Sequence, residues 1–118
     1  MKVIIIDDDS ETIEVLTEYL QINGIDVIAE GKNGLVAFEL YQSAKPDIVF
    51  MDVMMPEYDG FYGLKMIKEF DPDAKVIMVT ADLTADTDVK LEQLNASKII
   101  KKPFSLVEIK NAIDDISK

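Results

Sequence analysis

The feature that most constrains the fold is a strict alternation of short apolar runs with segments of helical periodicity. The apolar runs, rich in β-branched residues, are predicted to be strands: 2–6, 25–29, 47–51, 75–79 and 98–100. Between and after them, apolar residues recur every three or four positions and predict helices: 10–23, 33–43, 61–70, 83–95 and one that begins at Ser105. Because strands that alternate with helices pair in parallel, the sequence predicts an α/β fold with helices on both faces of one sheet.

The composition of the strands also indicates their order. The first, third and fourth runs are continuously apolar, as in strands covered on both faces, whereas the second alternates and the fifth is short, as edge strands tend to be. With right-handed crossovers this pattern favours the order 2-1-3-4-5, a flavodoxin-like doubly wound parallel sheet. Ligands of such folds bind at the carboxyl ends of the strands, where the strand order reverses.

Residue types at the segment ends predict how the helices begin. Ser10 is a candidate N-cap of the first helix and Asp59 of the third. Ser105 and Glu108 form the pattern of a capping box at the start of the last helix. Gly60, which follows the third strand, is expected to take a positive φ that other residues could not adopt cheaply.

The composition fits one globular domain over residues 1–118 and excludes several classes of function. Hydrophobic residues make up 48% of the chain, yet no apolar run approaches the ~20 residues of a membrane span and no signal-peptide pattern opens it. The absence of Cys and His excludes thiol catalysis, serine triads and His-ligated metals. A net charge of −11 argues against nucleic acid as a direct partner. The sequence therefore predicts a cytoplasmic protein without membrane insertion.

Polar residues stand at the carboxyl ends of four predicted strands. The first strand leads into Asp7-Asp8-Asp9, the third into Asp52, the fourth into Thr80 and the fifth into Lys101-Lys102-Pro103. Clustered carboxylates repel one another, and Mg²⁺ relieves this repulsion because it binds carboxylates and phosphate oxygens together. A lysine and a hydroxyl at the same site would complete a set of groups that handle a phosphoryl group.

Four short motifs at these strand ends resemble those of one known family. In chain order they are IIIDDD at 4–9, VFMDVMMPEYDG at 49–60, MVTA at 78–81 and KKPF at 101–104. Each motif alone is common, but all four in this order are specific. Over its whole length the chain resembles the receiver domain of two-component response regulators, and within that family the stand-alone chemotaxis type.

The resemblance implies a role for each of these residues. Asp52 matches the phosphoacceptor, Thr80 the hydroxyl that moves toward the phosphoryl group, and Lys102 the lysine that pairs with that group. The implied Mg²⁺ ligands are Asp7, Asp8, Asp52 and the backbone carbonyl of Met54. The resemblance also implies a cis peptide bond before Pro103, and a signalling domain that catalyses only its own phosphorylation and dephosphorylation.

The phosphodonor and the target must lie on other proteins. The chain carries no Walker-type glycine motif, and GKNG at 31–34 is interpreted as a turn and N-cap rather than a phosphate cradle. The resemblance implies a sensor histidine kinase as donor, and a downstream protein that docks on the face formed by the fourth helix, fifth strand and fifth helix. If the chain is a whole gene product, it is expected to act by docking rather than through an attached effector.

Three positions near that face carry expectations of their own. Ile99 stands where the family usually has a rotating Tyr or Phe, so we expect the backbone of the loop around 82–88 to carry the signal. Asn95 replaces the usual glycine and is expected to end the fourth helix in the left-handed region. Lys101 is expected to be solvated, with Lys102 turned inward.

Two other functions fit parts of the sequence. A haloacid dehalogenase-like phosphatase would use Asp7 as nucleophile in the pattern Asp7-x-Asp9, but Glu11 stands where that family has Thr or Val, and Asp52 is left unexplained. A calcium-binding module of the EF-hand type lacks its spacing here. The aspartate labelled by a small phosphodonor separates the readings: Asp52 for a receiver domain and Asp7 for a phosphatase.

Overall fold

The structure, a computed structural model, describes residues 1–117 and has the predicted alternation of strands and helices. The strands are β1 (Lys2–Ile6), β2 (Asp26–Gly31), β3 (Ile48–Met51), β4 (Val76–Thr80) and β5 (Lys98–Lys101). The helices are α1 (Ser10–Ile22), α2 (Gly34–Ala44), α3 (Gly60–Phe70), α4 (Ala85–Gln93) and α5 (Leu106–Ser117). All strand pairs are parallel and the order is β2-β1-β3-β4-β5, which confirms the predicted topology.

The register of the central strands determines which loops meet. Ile6, the last residue of β1, pairs with Met51, the last residue of β3. The next residues, Asp7 and Asp52, therefore leave the sheet side by side, and the Asp52 N–H donates to the Ile6 carbonyl at 2.9 Å. Pairing of β4 with β5 places Thr80 opposite Lys101 at the same edge.

The core consists of two layers, one on each face of the sheet, because successive strand side chains point to opposite faces. One layer joins β1, β3 and β4 to the helices α2, α3 and α4, through Ile4, Ile6, Ala37, Leu64, Ile67 and Leu91 among others. The other joins the same strands to α1 and α5, through Val3, Ile5, Leu16, Leu20, Ile109 and Ile113 among others. Burial on both faces explains why the central strands are continuously apolar.

The helix starts agree with the sequence in part. Asp59 caps α3, where its side chain accepts from the Tyr62 N–H, and Ser105 and Glu108 form the predicted capping box. Ser10 is not the cap of α1. Asp9 takes that position, and its carboxylate accepts from the Glu11 N–H at 3.1 Å.

Gly60 is required for a different reason from the predicted one. It is not among the described residues with positive φ, whereas Glu57, in the same loop, has a φ of 69°. A Cβ on Gly60 would lie 2.0 Å from the Asp52 carbonyl oxygen, so the glycine permits a close approach of two backbone segments. Asn95, with a φ of 65°, adopts the predicted left-handed conformation at the end of α4.

Candidate functional site

Three carboxylates converge where the order of the strands reverses. Asp7 and Asp8 follow β1, and Asp52 follows β3. Each offers an oxygen that lies within 4.8 Å of those offered by the other two, and Asp7 and Asp52 are buried while Asp8 is exposed. The in-register pairing of β1 with β3 therefore brings together the acids that the sequence predicted to be neighbours.

Lys102 inserts between two of these acids. Its Nζ lies 3.0 Å from Asp7 Oδ2 and 3.3 Å from Asp52 Oδ2. Its backbone N–H donates to the Thr80 carbonyl at 2.7 Å, and the bond that follows it, to Pro103, is cis, as the resemblance implied. Burial acts to lower the pKa of the Lys102 ammonium, but its hydrogen bond to Asp7 and the charge of Asp52 outweigh burial and raise the pKa.

Asp52 is oriented through both of its oxygens. Oδ1 accepts from the Val53 N–H at 2.7 Å, and Oδ2 faces the Lys102 ammonium. Burial, followed by the charge of Asp7, raises the pKa of the Asp52 carboxyl, and Lys102 opposes that shift. The result is a buried carboxylate with one orientation, beside a cation and two further acids.

Thr80 stands at the carboxyl end of β4 and is completely buried. Its Oγ1 accepts from the Asp82 N–H at 3.0 Å, which links the hydroxyl to the loop between β4 and α4. Hydrogen bonds from the Thr87 hydroxyl and the Thr84 N–H lower the pKa of the Asp82 carboxyl to about 2. Thr80 is therefore connected to a loop that has hydrogen bonds of its own, from the Thr84 N–H and the Thr87 hydroxyl to Asp82.

Met54 lies two residues after Asp52, in the loop between β3 and α3, and the residue is 65% exposed. Ile99, on β5, is partly buried and packs against the core layer that contains α4. Neither side chain carries a group for phosphoryl chemistry. For Met54, the resemblance implies a role only for the backbone carbonyl. Ile99 is relevant because it lies on the face formed by α4, β5 and α5.

The prediction that Lys101 is solvated is wrong. Its side chain is only 32% exposed; its Nζ pairs with Asp88 in the first turn of α4 and donates to the Asp82 carbonyl at 2.8 Å. The sequence analysis missed this contact because it considered Lys101 only as a neighbour of Lys102. The sequence did offer one signal of this ion pair. Asp88 is an acid in the first turn of α4, and the next strand, β5, ends in a lysine.

The donor set fits a hard divalent cation. Three carboxylates from two adjacent loops provide oxygen ligands, and Mg²⁺ binds through one or two carboxylates while it retains water.

Among the helices of residues 1–117, none has the length and apolar character to cross a bilayer.

Comparisons with known proteins agree with the fold and identify the family. The family model of the response regulator receiver domain matches residues 3–114. The chain is 36% identical over 113 residues to the chemotaxis protein CheY of Bacillus subtilis, covering 96% of this chain and 94% of that protein. It is 34% identical over 117 residues to CheY of Thermotoga maritima, covering 99% and 98%. A chain in the crystal structure of the CheX–CheY–BeF₃–Mg²⁺ complex from Borrelia burgdorferi superposes with a TM-score of 0.95 at 28% identity, covering 100% of this chain and 90% of that one.

The parallel sheet and its acidic site define a phosphoacceptor of two-component signalling. The chain belongs to the response regulator receiver domain family, and its relatives along nearly the whole length are CheY chemotaxis proteins. The alternative of a haloacid dehalogenase-like phosphatase is not supported, since the receiver domain model matches residues 3–114, nearly the whole chain.

Proposed function

We propose that Asp52 is the residue that accepts the phosphoryl group. Its carboxylate attacks the phosphorus of a phosphohistidine on a sensor histidine kinase; an O–P bond forms, the P–N bond breaks, and the electron pair stays on the imidazole nitrogen. The observation that carries this proposal is the position of Asp52, buried and held in one orientation by the Val53 N–H and Lys102.

The same proposal assigns the other members of the site. Asp7, Asp8, Asp52 and the Met54 carbonyl would hold Mg²⁺, which when bound neutralises charge on the phosphoryl oxygens. Lys102, already directed at Asp52 Oδ2, provides a second positive charge next to the oxygens that arrive. Residues 1–118 form one receiver domain, which catalyses only its own phosphorylation and dephosphorylation and acts in the cytoplasm.

Thr80 provides the output step. Its oxygen accepts from the Asp82 N–H, so its own proton is available to donate to a phosphoryl oxygen. A shift of the hydroxyl toward Asp52 would break the bond to Asp82 and free the backbone of residues 82–88. Ile99 is β-branched and packed on the core, so its side chain contributes little to the switch. A downstream protein then docks on the face formed by α4, β5 and α5.

The test is site-specific labelling by acetyl phosphate with Mg²⁺. We expect wild type to gain a base-labile phosphate that maps to Asp52, and Asp52→Asn to gain none. Asp114→Asn, on the exposed surface of α5, is the matched control and should label as wild type does. Label on Asp7 in wild type, or an unchanged labelling rate in Asp52→Asn, would show that the nucleophile is another residue.

A further inference from the structure

The β2–α2 segment, which runs from the last residue of β2 to the first residue of α2 (residues 31–34), contacts both loops that carry the acids of the site. The Gly31 carbonyl accepts from the Asp7 N–H at 3.0 Å, at the start of the β1–α1 loop. The Gly34 N–H donates to the Tyr58 carbonyl at 2.7 Å, in the loop that leads from Asp52 to α3. The β2–α2 segment therefore joins the two halves of the site through backbone atoms alone.

Gly34 meets the β3–α3 loop at a distance that only glycine permits. A Cβ on Gly34 would lie 2.2 Å from the Asp59 carbonyl oxygen and 2.8 Å from the Gly63 nitrogen. Both are backbone atoms, so no change of rotamer could relieve the overlap. Asp59 is also the cap of α3, and the first turn of α2 thus packs directly on the junction of the loop and that helix.

The other end of the same loop is equally constrained. The Gly60 N–H donates to the Val53 carbonyl at 2.8 Å, which closes the loop on itself. The Val53 N–H in turn binds Asp52 Oδ1 at 2.7 Å. A displacement of the backbone at Asp59 would therefore be passed through Gly60 and Val53 to the Asp52 carboxylate.

We propose that Gly34 is a positioning residue for the metal site. It touches none of the carboxylates, but together with Gly31 it sets the separation between the loop that carries Asp7 and the loop that carries Asp52. This inference rests on the proposed Mg²⁺ site. Asn33, whose Oδ1 accepts from the Val36 N–H at 2.9 Å, contributes by capping the first turn of α2.

The test compares Mg²⁺ affinity, measured by calorimetry with Mg²⁺ alone, in wild type and Gly34→Ala. Groups that orient metal ligands typically contribute tenfold or more to affinity, so we expect about tenfold weaker binding in Gly34→Ala. Amide exchange of residues 53–59 should become faster in the same variant. A purely structural role would lower the stability of the fold and leave the Mg²⁺ affinity of the folded protein unchanged.

Gly24→Ala is the matched control. Gly24 has a φ of +77°, so alanine is strained there, but no atom lies within 4 Å of the added Cβ. It precedes β2, at the end of the sheet opposite the acids. The control should lose stability yet bind Mg²⁺ within about twofold of wild type, as expected of distant, independent sites.

The outcomes separate this inference from the proposed function. If wild type fails to bind Mg²⁺, the metal site is wrong and this inference is wrong with it. If wild type binds and folded Gly34→Ala binds equally well, only the role of Gly34 is wrong. If Gly34→Ala does not fold, Asn33→Ala decides the matter, because it loosens the first turn of α2 without adding atoms. Weaker Mg²⁺ binding in Asn33→Ala supports the inference, and unchanged binding overturns it.

Discussion

The Lys102 ammonium lies 3.3 Å from Asp52 Oδ2, although 50 residues separate them in the chain. The same ammonium is 3.0 Å from Asp7 Oδ2, and both carboxylates are buried. Removal of a cation that two buried anions share destabilises the fold, since burial penalises an uncompensated charge. Substitutions at these three residues should therefore change the free energy of unfolding measurably.

Replacement of Lys102 by methionine should destabilise the fold at neutral pH. The change leaves Asp7 and Asp52 without their shared cation, which should lower the free energy of unfolding by about 2 kcal/mol. Urea unfolding without metal measures this, and added Mg²⁺ should restore part of the loss. Lys65→Met, on the exposed surface of α3, should change stability by no more than about 0.5 kcal/mol. Equal effects of the two substitutions would contradict the prediction.

Asp52→Asn should be more stable than wild type at neutral pH without metal. Burial and Asp7 raise the pKa of the Asp52 carboxyl in the folded state, so the folded state binds the proton more tightly than the unfolded state does. Ionisation therefore costs stability above the folded pKa. This cost fades as the pH falls through that pKa toward the unfolded value of about 3.9.

Urea titrations of Asp52→Asn and wild type across the acid range measure the difference in stability. The advantage of asparagine should shrink on acidification. An advantage that is constant or grows at low pH would show that ionisation of Asp52 is not its cause. Asp114→Asn, an exposed substitution, should show no comparable trend.

Mg²⁺ should raise the melting temperature of the wild-type protein. At 100 times its dissociation constant the ion adds about 2.7 kcal/mol to the free energy of unfolding, because it binds only the folded state. Asp8 is exposed, so Asp8→Ala should fold normally but respond less to Mg²⁺. Asp26→Ala, at the opposite end of the sheet, should retain the full response. A wild-type melting temperature that does not depend on Mg²⁺ would count against the site.

Thr80→Ala should uncouple phosphorylation from its structural response. Asp52 should still be labelled, but beryllofluoride, which mimics the phosphoryl group, should no longer change amide exchange in residues 82–88. Thr80→Ser retains the hydroxyl and should retain the response. A normal response in Thr80→Ala would exclude this hydroxyl as the switch.

Ile99→Val should alter binding of a downstream partner by less than tenfold, about 1.4 kcal/mol.

Lys101→Met should loosen the start of α4. The substitution removes the ion pair with Asp88 and the bond to the Asp82 carbonyl, which together connect β5 to the β4–α4 loop. Because the pair is partly exposed, stability should fall by at most about 1 kcal/mol. Amide exchange in residues 82–88 should accelerate without any phosphoryl mimic. Unchanged exchange would mean that this contact does not restrain the loop. Lys98→Met, which replaces another lysine of β5, is the control variant.

The topology and the acidic cluster could be predicted because they depend on patterns that are local in sequence. Apolar runs that end in Asp7 and Asp52 indicate two buried strands with acids at their carboxyl ends. Parallel pairing of the two strands then brings these acids together. The cap of α1 could not be assigned in the same way. Asp9 and Ser10 are both good N-cap residues, and the choice between them depends on the backbone angle at which the chain leaves β1.

Several contacts between distant segments were not predicted from the sequence. Gly60 was expected to need a positive φ, but its requirement comes from the Asp52 carbonyl, and such a close approach has no local signature. Gly34 is another case, because its contacts at Tyr58 and Asp59 involve only backbone atoms. Lys101 was judged by its neighbour in sequence, whereas its partner Asp88 belongs to a different element.

The distance in sequence between Lys102 and the acids has a consequence for biosynthesis. Lys102 comes 95 residues after Asp7, so a ribosome releases β1, β3 and their carboxylates well before it releases β5. Any nascent chain that stops short of β5 holds the acids without the lysine that compensates them. Docking of the last strand at the edge of the sheet is therefore the event that completes an electrostatically balanced domain.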